Sequence, residues 1–134
     1  MESEARKILK QHDALNNNVN FFHHPSDEPW CRDHGPIFVK NETTRAIINW
    51  DYNAWGKKYS AHEKDNEIPK HVASARELQC HTPGMVLEGG SIEVNGRGTL
   101  LTTESCLLNP NRNPNLNKNE IEQRLREYLG VTHI

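Results

Sequence analysis

At 134 residues the chain has the length of one domain, and its 34% hydrophobic content supplies a modest core, the mean hydropathy being -0.85. Its 16 basic and 18 acidic residues leave a formal net charge of -2. That balance lacks the basic bias of a nucleic-acid binder and makes a small molecule the expected partner. No run approaches the roughly 18 apolar residues of a membrane span, so no membrane partner is expected. The charged opening MESEARKILK is followed by no apolar stretch, and Cys31, Cys80 and Cys106 are widely spaced, as in a cytoplasmic protein with reduced thiols.

In chain order, SEARKILKQHDAL places Ala5, Ile8 and Leu9 at helical spacing and predicts a helix that ends before the asparagine run at 16–18. VNFFHH, 19–24, reads as a strand. IFVK and RAIINW are apolar runs separated by NETT, a hairpin signature. A polar loop, DYNAWGKKYSAHEK, leads to a helix over DNEIPKHVASARELQ, with Asp65 as a cap, Pro69 in the first turn, and Ile68, Val72 and Ala75 on one face. MVLE follows as a strand.

SIEVN and TLLTT then form a second hairpin, with Asn95-Gly96 as a two-residue turn. The prolines and asparagines of NPNRNPNL exclude a helix there. NKNEIEQRLREYLG starts one, with Asn117 and Glu120 in capping-box spacing, Ile121, Leu125, Tyr128 and Leu129 as the buried stripe, and Gly130 as the stop. VTHI begins another strand. The order hairpin, polar loop, helix, strand thus occurs twice, at roughly 36–88 and 91–134, in one domain over 1–134 whose modules span about 18–88 and 91–134. The second unit stops on its strand without a turn, so the chain is expected to be a piece of something larger.

Three stretches carry candidate chemistry. In PWCRDHG, Asp33 lies beside Gly35-Pro36, where the chain turns, so its carboxylate and the Trp30 ring can converge on a cleft. A carboxylate and an indole face suit a planar guanidinium, which donates paired N–H bonds and stacks on the ring. The bland alternative has Trp30 in the core and Asp33 paired with Arg32. In MVLEGGS, Glu88 ends an apolar strand before two glycines that allow close approach, either as a site carboxylate or as a cap on the turn. In DYNAWGKKY, Trp55 is either a wall of a site or an anchor for its loop. His23, His24, Cys31 and His34 could instead bind a metal, although no pair has zinc-ligand spacing. Cys31 could be a nucleophile beside Arg32 and His34, but on an extended chain Cys31 and Asp33 share one face and Trp30, Arg32 and His34 the other.

DEPWCRDHGPIFV, DYNAWGKKY, MVLEGGSIEVNGRGTLLTTESCLLNPNRNP and EIEQRLREYLGVTHI together resemble the agmatine deiminase family, also called the Porphyromonas-type peptidylarginine deiminase family. The resemblance runs in one order over about 18–134, and its W-x-R-D-x-G-P, N-A-W-G and L-E-G-G-S motifs are specific. It implies an α/β fold of the pentein type, a propeller of five ββαβ modules of which about two are present here. It also implies hydrolysis of a guanidine, agmatine and water giving N-carbamoylputrescine and ammonia, by a cysteine nucleophile and a histidine acid-base. No metal or organic cofactor is implied.

Carried over, Asp33 matches the first guanidinium-binding aspartate, Trp30 the stacking tryptophan and Glu88 the glutamate beside the catalytic histidine. Trp55 lies in the substrate-side N-A-W-G segment. The family's G-H-x-D motif and its nucleophilic cysteine have no match, since Cys31, Cys80 and Cys106 stand elsewhere. The isolated chain is therefore expected to be inactive, with the remainder of the fold or a second copy as a partner. The alternatives are a non-catalytic guanidinium-binding module, a peptidylarginine deiminase-type activity, and a small metal-binding domain.

Overall fold

A computed structural model describes residues 1–134, and its sheets begin where the apolar runs begin. Strands β1 (Ile37–Lys40) and β2 (Arg45–Ile48) pair antiparallel in the register Ile37 with Ile48. The Asn41 side chain closes their connection, accepting from the Thr43 and Thr44 amides at 2.9 and 2.7 Å. The chain crosses over through helix α4 (Glu63–Ala75) and returns as β3 (Gln79–His81), parallel to β2. Strands β4 (Ile92–Val94) and β5 (Leu100–Thr102) form a second antiparallel hairpin. After α5 (Glu104–Leu107) and α6 (Lys118–Leu129), His133 bridges in parallel to Thr99. Both halves therefore follow the order ββαβ.

Helix α6 has the boundaries its caps dictate. Asn117 accepts from the Glu120 amide, Glu120 accepts from the Asn117 amide, and Gly130 ends the helix at φ 67°. Its buried residues Ile121 and Leu125 join Ile48 and Trp50 of the first half, Met85 and Leu87, and Ile92 and Leu100 of the second in one core. The halves share that core, so neither buries its apolar face alone.

Several expectations are corrected. Residues 19–24 form no strand: Phe21 lies under the Arg6 guanidinium at 4.3 Å and His23 bonds Glu2 at 2.6 Å, so helix α1 (Glu2–Gln11) holds the segment. Asp65 does not cap α4 but is buried inside it, accepting from the Asp27 and Glu28 amides at 2.8 and 3.2 Å. Pro69 lies in the helix interior and is buried with Asp65 and Ala73, while Ala75 is exposed. All three residues of β3 are exposed, so it lacks the apolar alternation that marks a strand. MVLE and VTHI reduce to single bridges at Val86 and His133. The second hairpin turns over Asn95–Thr99, where Asn95 Oδ1 accepts from the Arg97 and Thr99 amides. No helix is long and apolar enough to cross a membrane.

Candidate active site

The first sheet runs out at one rung, Asp51 bridged in parallel to Val86. Asp51 donates to Met85 O at 3.1 Å and accepts from Leu87 N at 3.0 Å. The outward-facing backbone groups on either side meet asparagine side chains instead of strands. Asn66 pairs with both the amide and carbonyl of Tyr52, at 2.8 and 2.7 Å, and Asn113 does the same for Val86, at 2.9 Å each. A primary amide can offer a donor and an acceptor side by side, as a peptide group does, so the backbone amide and carbonyl of both Tyr52 and Val86 are paired. Beyond this rung both chains leave the sheet and the candidate site begins.

On one side the chain enters a left-handed turn, α3 (Ala54–Lys57), where Ala54, Trp55, Gly56 and Lys57 have φ values of 53°, 56°, 80° and 64°. Left-handed backbone costs about 1–2 kcal/mol for each non-glycine residue and occurs seldom in runs. Its surroundings hold it: Asn53 accepts from the Gly56 amide at 2.8 Å and donates to Asn111 O at 2.9 Å. A Cβ at Gly56 would overlap the side chains of Asn111 and Arg112. The turn sets Trp55 nearly perpendicular to Trp30, with ring centroids 6.3 Å apart, and to Tyr52 at 5.4 Å.

On the other side, Leu87 continues into Glu88, only 3% exposed. Glu88 Oε1 accepts from Arg112 Nε at 2.9 Å, and Arg112 Nη1 donates to Asn111 Oδ1 at 2.8 Å. The next residues form a 3-10 turn, Gly89–Ser91. Against it packs the helical turn α2 (Cys31–His34), so close that a Cβ at Gly89 would overlap Arg32 O and one at Gly90 would overlap Asp33 Oδ1. That contact aims Asp33: its Oδ1 accepts from the Gly90 amide at 3.1 Å. Trp30 caps α2 and is 56% exposed.

The helical turn overturns the extended-chain reading of PWCRDHG. His34 points inward, its Nε2 3.2 Å from Glu28 O and 3.9 Å from the buried Asp65 carboxylate. Arg32 leans to Glu93 at 4.0 Å, not to Asp33, and Trp30 is not in the core. Cys31 is exposed. His23 bonds Glu2, and His24 stacks on His71 with centroids 4.2 Å apart, so the metal quartet is dispersed; no three potential ligands converge. Behind the site, Tyr52 is buried and its hydroxyl has no partner. Burial pushes its pKa well above the ordinary tyrosine range, and the negative charges of Asp33, Asp65, Glu28 and Glu88 push it further. The site is a field of carboxylates faced by aromatic rings, an environment matched to a cation.

Of the four candidates, Trp30 and Trp55 are in contact, and Asp33 reaches the Gly89–Ser91 turn that directly follows Glu88. Arg112, Asn113 and Tyr52 were not among the sequence candidates. The available signal for Arg112 was a lone charge in a loop otherwise made of asparagine, proline and leucine.

The model of the Porphyromonas-type peptidyl-arginine deiminase family matches residues 1–134. The agmatine deiminase of Pseudomonas fluorescens is 46% identical over 87% of this chain and 33% of its own length. The solved agmatine deiminase of Enterococcus faecalis superposes with a TM-score of 0.83 at 34% identity, over 96% of this chain and 37% of that one. A substrate-bound agmatine deiminase of C. jejuni gives 0.80 at 33% identity, over 96% and 38%. The chain spans about a third of the length of the relatives it matches. It belongs to the Porphyromonas-type peptidyl-arginine deiminase family, and its two ββαβ units are those of a pentein-type α/β propeller.

Proposed function

We propose that this chain forms the guanidinium-binding wall of an agmatine deiminase-type hydrolase, with units at about 18–88 and 91–134 and agmatine as the ligand. The observation that carries the reading is a shared feature of two carboxylates. Asp33 commits Oδ1 to the Gly90 amide and Glu88 commits Oε1 to Arg112, while the second oxygen of each makes no hydrogen bond. Two such oxygens, with the exposed Trp30 ring and its perpendicular neighbour Trp55, match a planar cation that donates N–H bonds at its edges and stacks through its face.

In this role Asp33 and Glu88 hold the guanidinium nitrogens, keep the positive charge on the carbon and so favour attack there. Trp30 and Trp55 enclose the group and exclude water. The thiol nucleophile and the imidazole acid-base lie outside these residues in this reading, so the chain alone binds but does not turn over. The protein would work in the cytoplasm, where its thiols stay reduced.

Calorimetric titration of the 134-residue chain with agmatine tests the reading, with 1,4-diaminobutane as a control that lacks the guanidine. Agmatine is expected to bind and the diamine not to. Equal binding of both would remove the guanidinium as the recognised group. Ammonia release from agmatine is expected to stay at background. Turnover abolished by Cys31→Ser would make Cys31 a participant.

A further inference from the structure

We infer that Arg112 is a positioning residue that joins the strained Trp55 turn and the Glu88 carboxylate into one unit. The inference rests on the reading of the site given above. Arg112 makes no contact that needs a ligand; it acts through two groups that do.

Two independent features meet at this side chain. The first is the nearly buried ion pair. Glu88 is 4% and Arg112 12% exposed at the side chain, and the guanidinium reaches Oε1 through Nε. A single N–H contact of this kind leaves Oε2 free while restricting rotation of the carboxylate, which a bidentate grip would cover on both oxygens. The second is the left-handed turn. Three of its residues, Ala54, Trp55 and Lys57, carry side chains and hold positive φ, a conformation that persists only where the surroundings over-determine it. Within the turn Asn53 accepts from the Gly56 amide, and from outside it the surroundings are Asn111 and Arg112. Asn111 O accepts from Asn53, Asn111 Oδ1 accepts from Arg112 Nη1, and both side chains fill the place of an absent Cβ at Gly56.

Arg112 thus faces Glu88 with one edge and the turn with the other. Movement of the guanidinium frees the carboxylate and removes the support behind Trp55 together. The coupling explains why one charged residue stands in a loop whose other members serve turns and backbone caps: Asn109 accepts from the Asn111 amide, and Asn113 completes the ladder at Val86.

The test is NMR of the full chain carrying Arg112→Gln, read at the indole N–H signals of Trp30, Trp50 and Trp55 and at the Gly56 amide, followed by agmatine titration. The Trp55 and Gly56 signals are expected to shift while Trp50, buried in the core, stays in place, and agmatine affinity should fall about tenfold, the scale of one lost charge-assisted contact. Arg112→Lys keeps the charge without the fork, so it should recover part of the affinity while the Trp55 signal stays displaced. If Gln does not fold, Lys and Asn111→Ala carry the same readings. Unmoved Trp55 and Gly56 signals, or a Trp50 signal that moves with them, would overturn the inference, the latter by showing a general structural role. If the unaltered chain does not bind agmatine, the reading of the site fails, while the signals still decide what Arg112 holds.

Discussion

Asp33 Oδ1 accepts from the Gly90 amide at 3.1 Å although 57 positions separate the two in the chain. The bond fixes the carboxylate beside the segment that carries Glu88. Asp33→Asn keeps an acceptor for Gly90 and removes only the charge. Agmatine affinity should therefore fall by roughly ten- to a hundredfold, the equivalent of a charged hydrogen bond of about 1.5–3 kcal/mol, with little change in stability. Calorimetry that returns an unchanged affinity would end the assignment of Asp33.

The two glycines that receive α2 should separate stability from binding. At Gly89 a methyl meets Arg32 O, a backbone atom that cannot step aside, so Gly89→Ala should cost about 1–3 kcal/mol in urea unfolding. At Gly90 the methyl meets Asp33 Oδ1, the end of a side chain that can turn away. Gly90→Ala should keep more of the stability and lose more of the affinity. The reverse order would show that α2 does not aim Asp33.

Asn113→Ala removes the partner of both polar groups of Val86 at a position that is 8% exposed. Each group left without a partner costs about 1–3 kcal/mol, so a loss of about 2 kcal/mol or more is expected. Surface asparagines such as Asn18 should give far less. A thermal midpoint within error of the parent would mean that water replaces the amide without cost.

Asp51 predicts a pH dependence. Its carboxyl is half-buried, and burial raises its pKa, with Lys70 offsetting part of the rise. With a folded-state pKa above the unfolded one, the protonated group favours the fold. Stability is then fullest below the ordinary aspartate range, roughly pH 4, and is lost as pH rises through the folded value. Asp51→Asn should thus match the parent in acid and exceed it at pH 7. A gap in acid that closes at neutral pH would reverse the sign and reject the cause.

The parts of the fold legible in the sequence are those set by local chemistry. Helix α6 announced itself because Asn117, Glu120 and Gly130 act on their own backbone. Both hairpins were legible because their apolar runs are strand-like and their connections polar. What was hidden depends on distant partners. Residues 19–24 have strand composition but no sheet neighbour, and Phe21 meets Arg6 instead. The left-handed turn at Trp55 is held by Asn53 within the motif and, 58 positions away, by Asn111, whose carbonyl accepts from Asn53; the second partner cannot be read from N-A-W-G alone. Trp30, Asp33, Trp55 and Glu88 were singled out by residue type and motif, and the structure sets Trp30 against Trp55 and Asp33 against the turn after Glu88. Arg112 escaped because its meaning lies in the carboxylate it touches, 24 positions earlier.

Asn113, bonded to the amide and carbonyl of Val86 at the last rung, and Asn66, bonded to those of Tyr52 just beyond it, have a consequence for self-association. An unpaired extended segment invites the backbone of another molecule, and natural sheets guard against this with charges, prolines or bulges. Here two side-chain amides occupy the positions that an intruding strand would need. The mouth of the site can therefore be built from bare, irregular chain without becoming a point at which copies of the protein stick together.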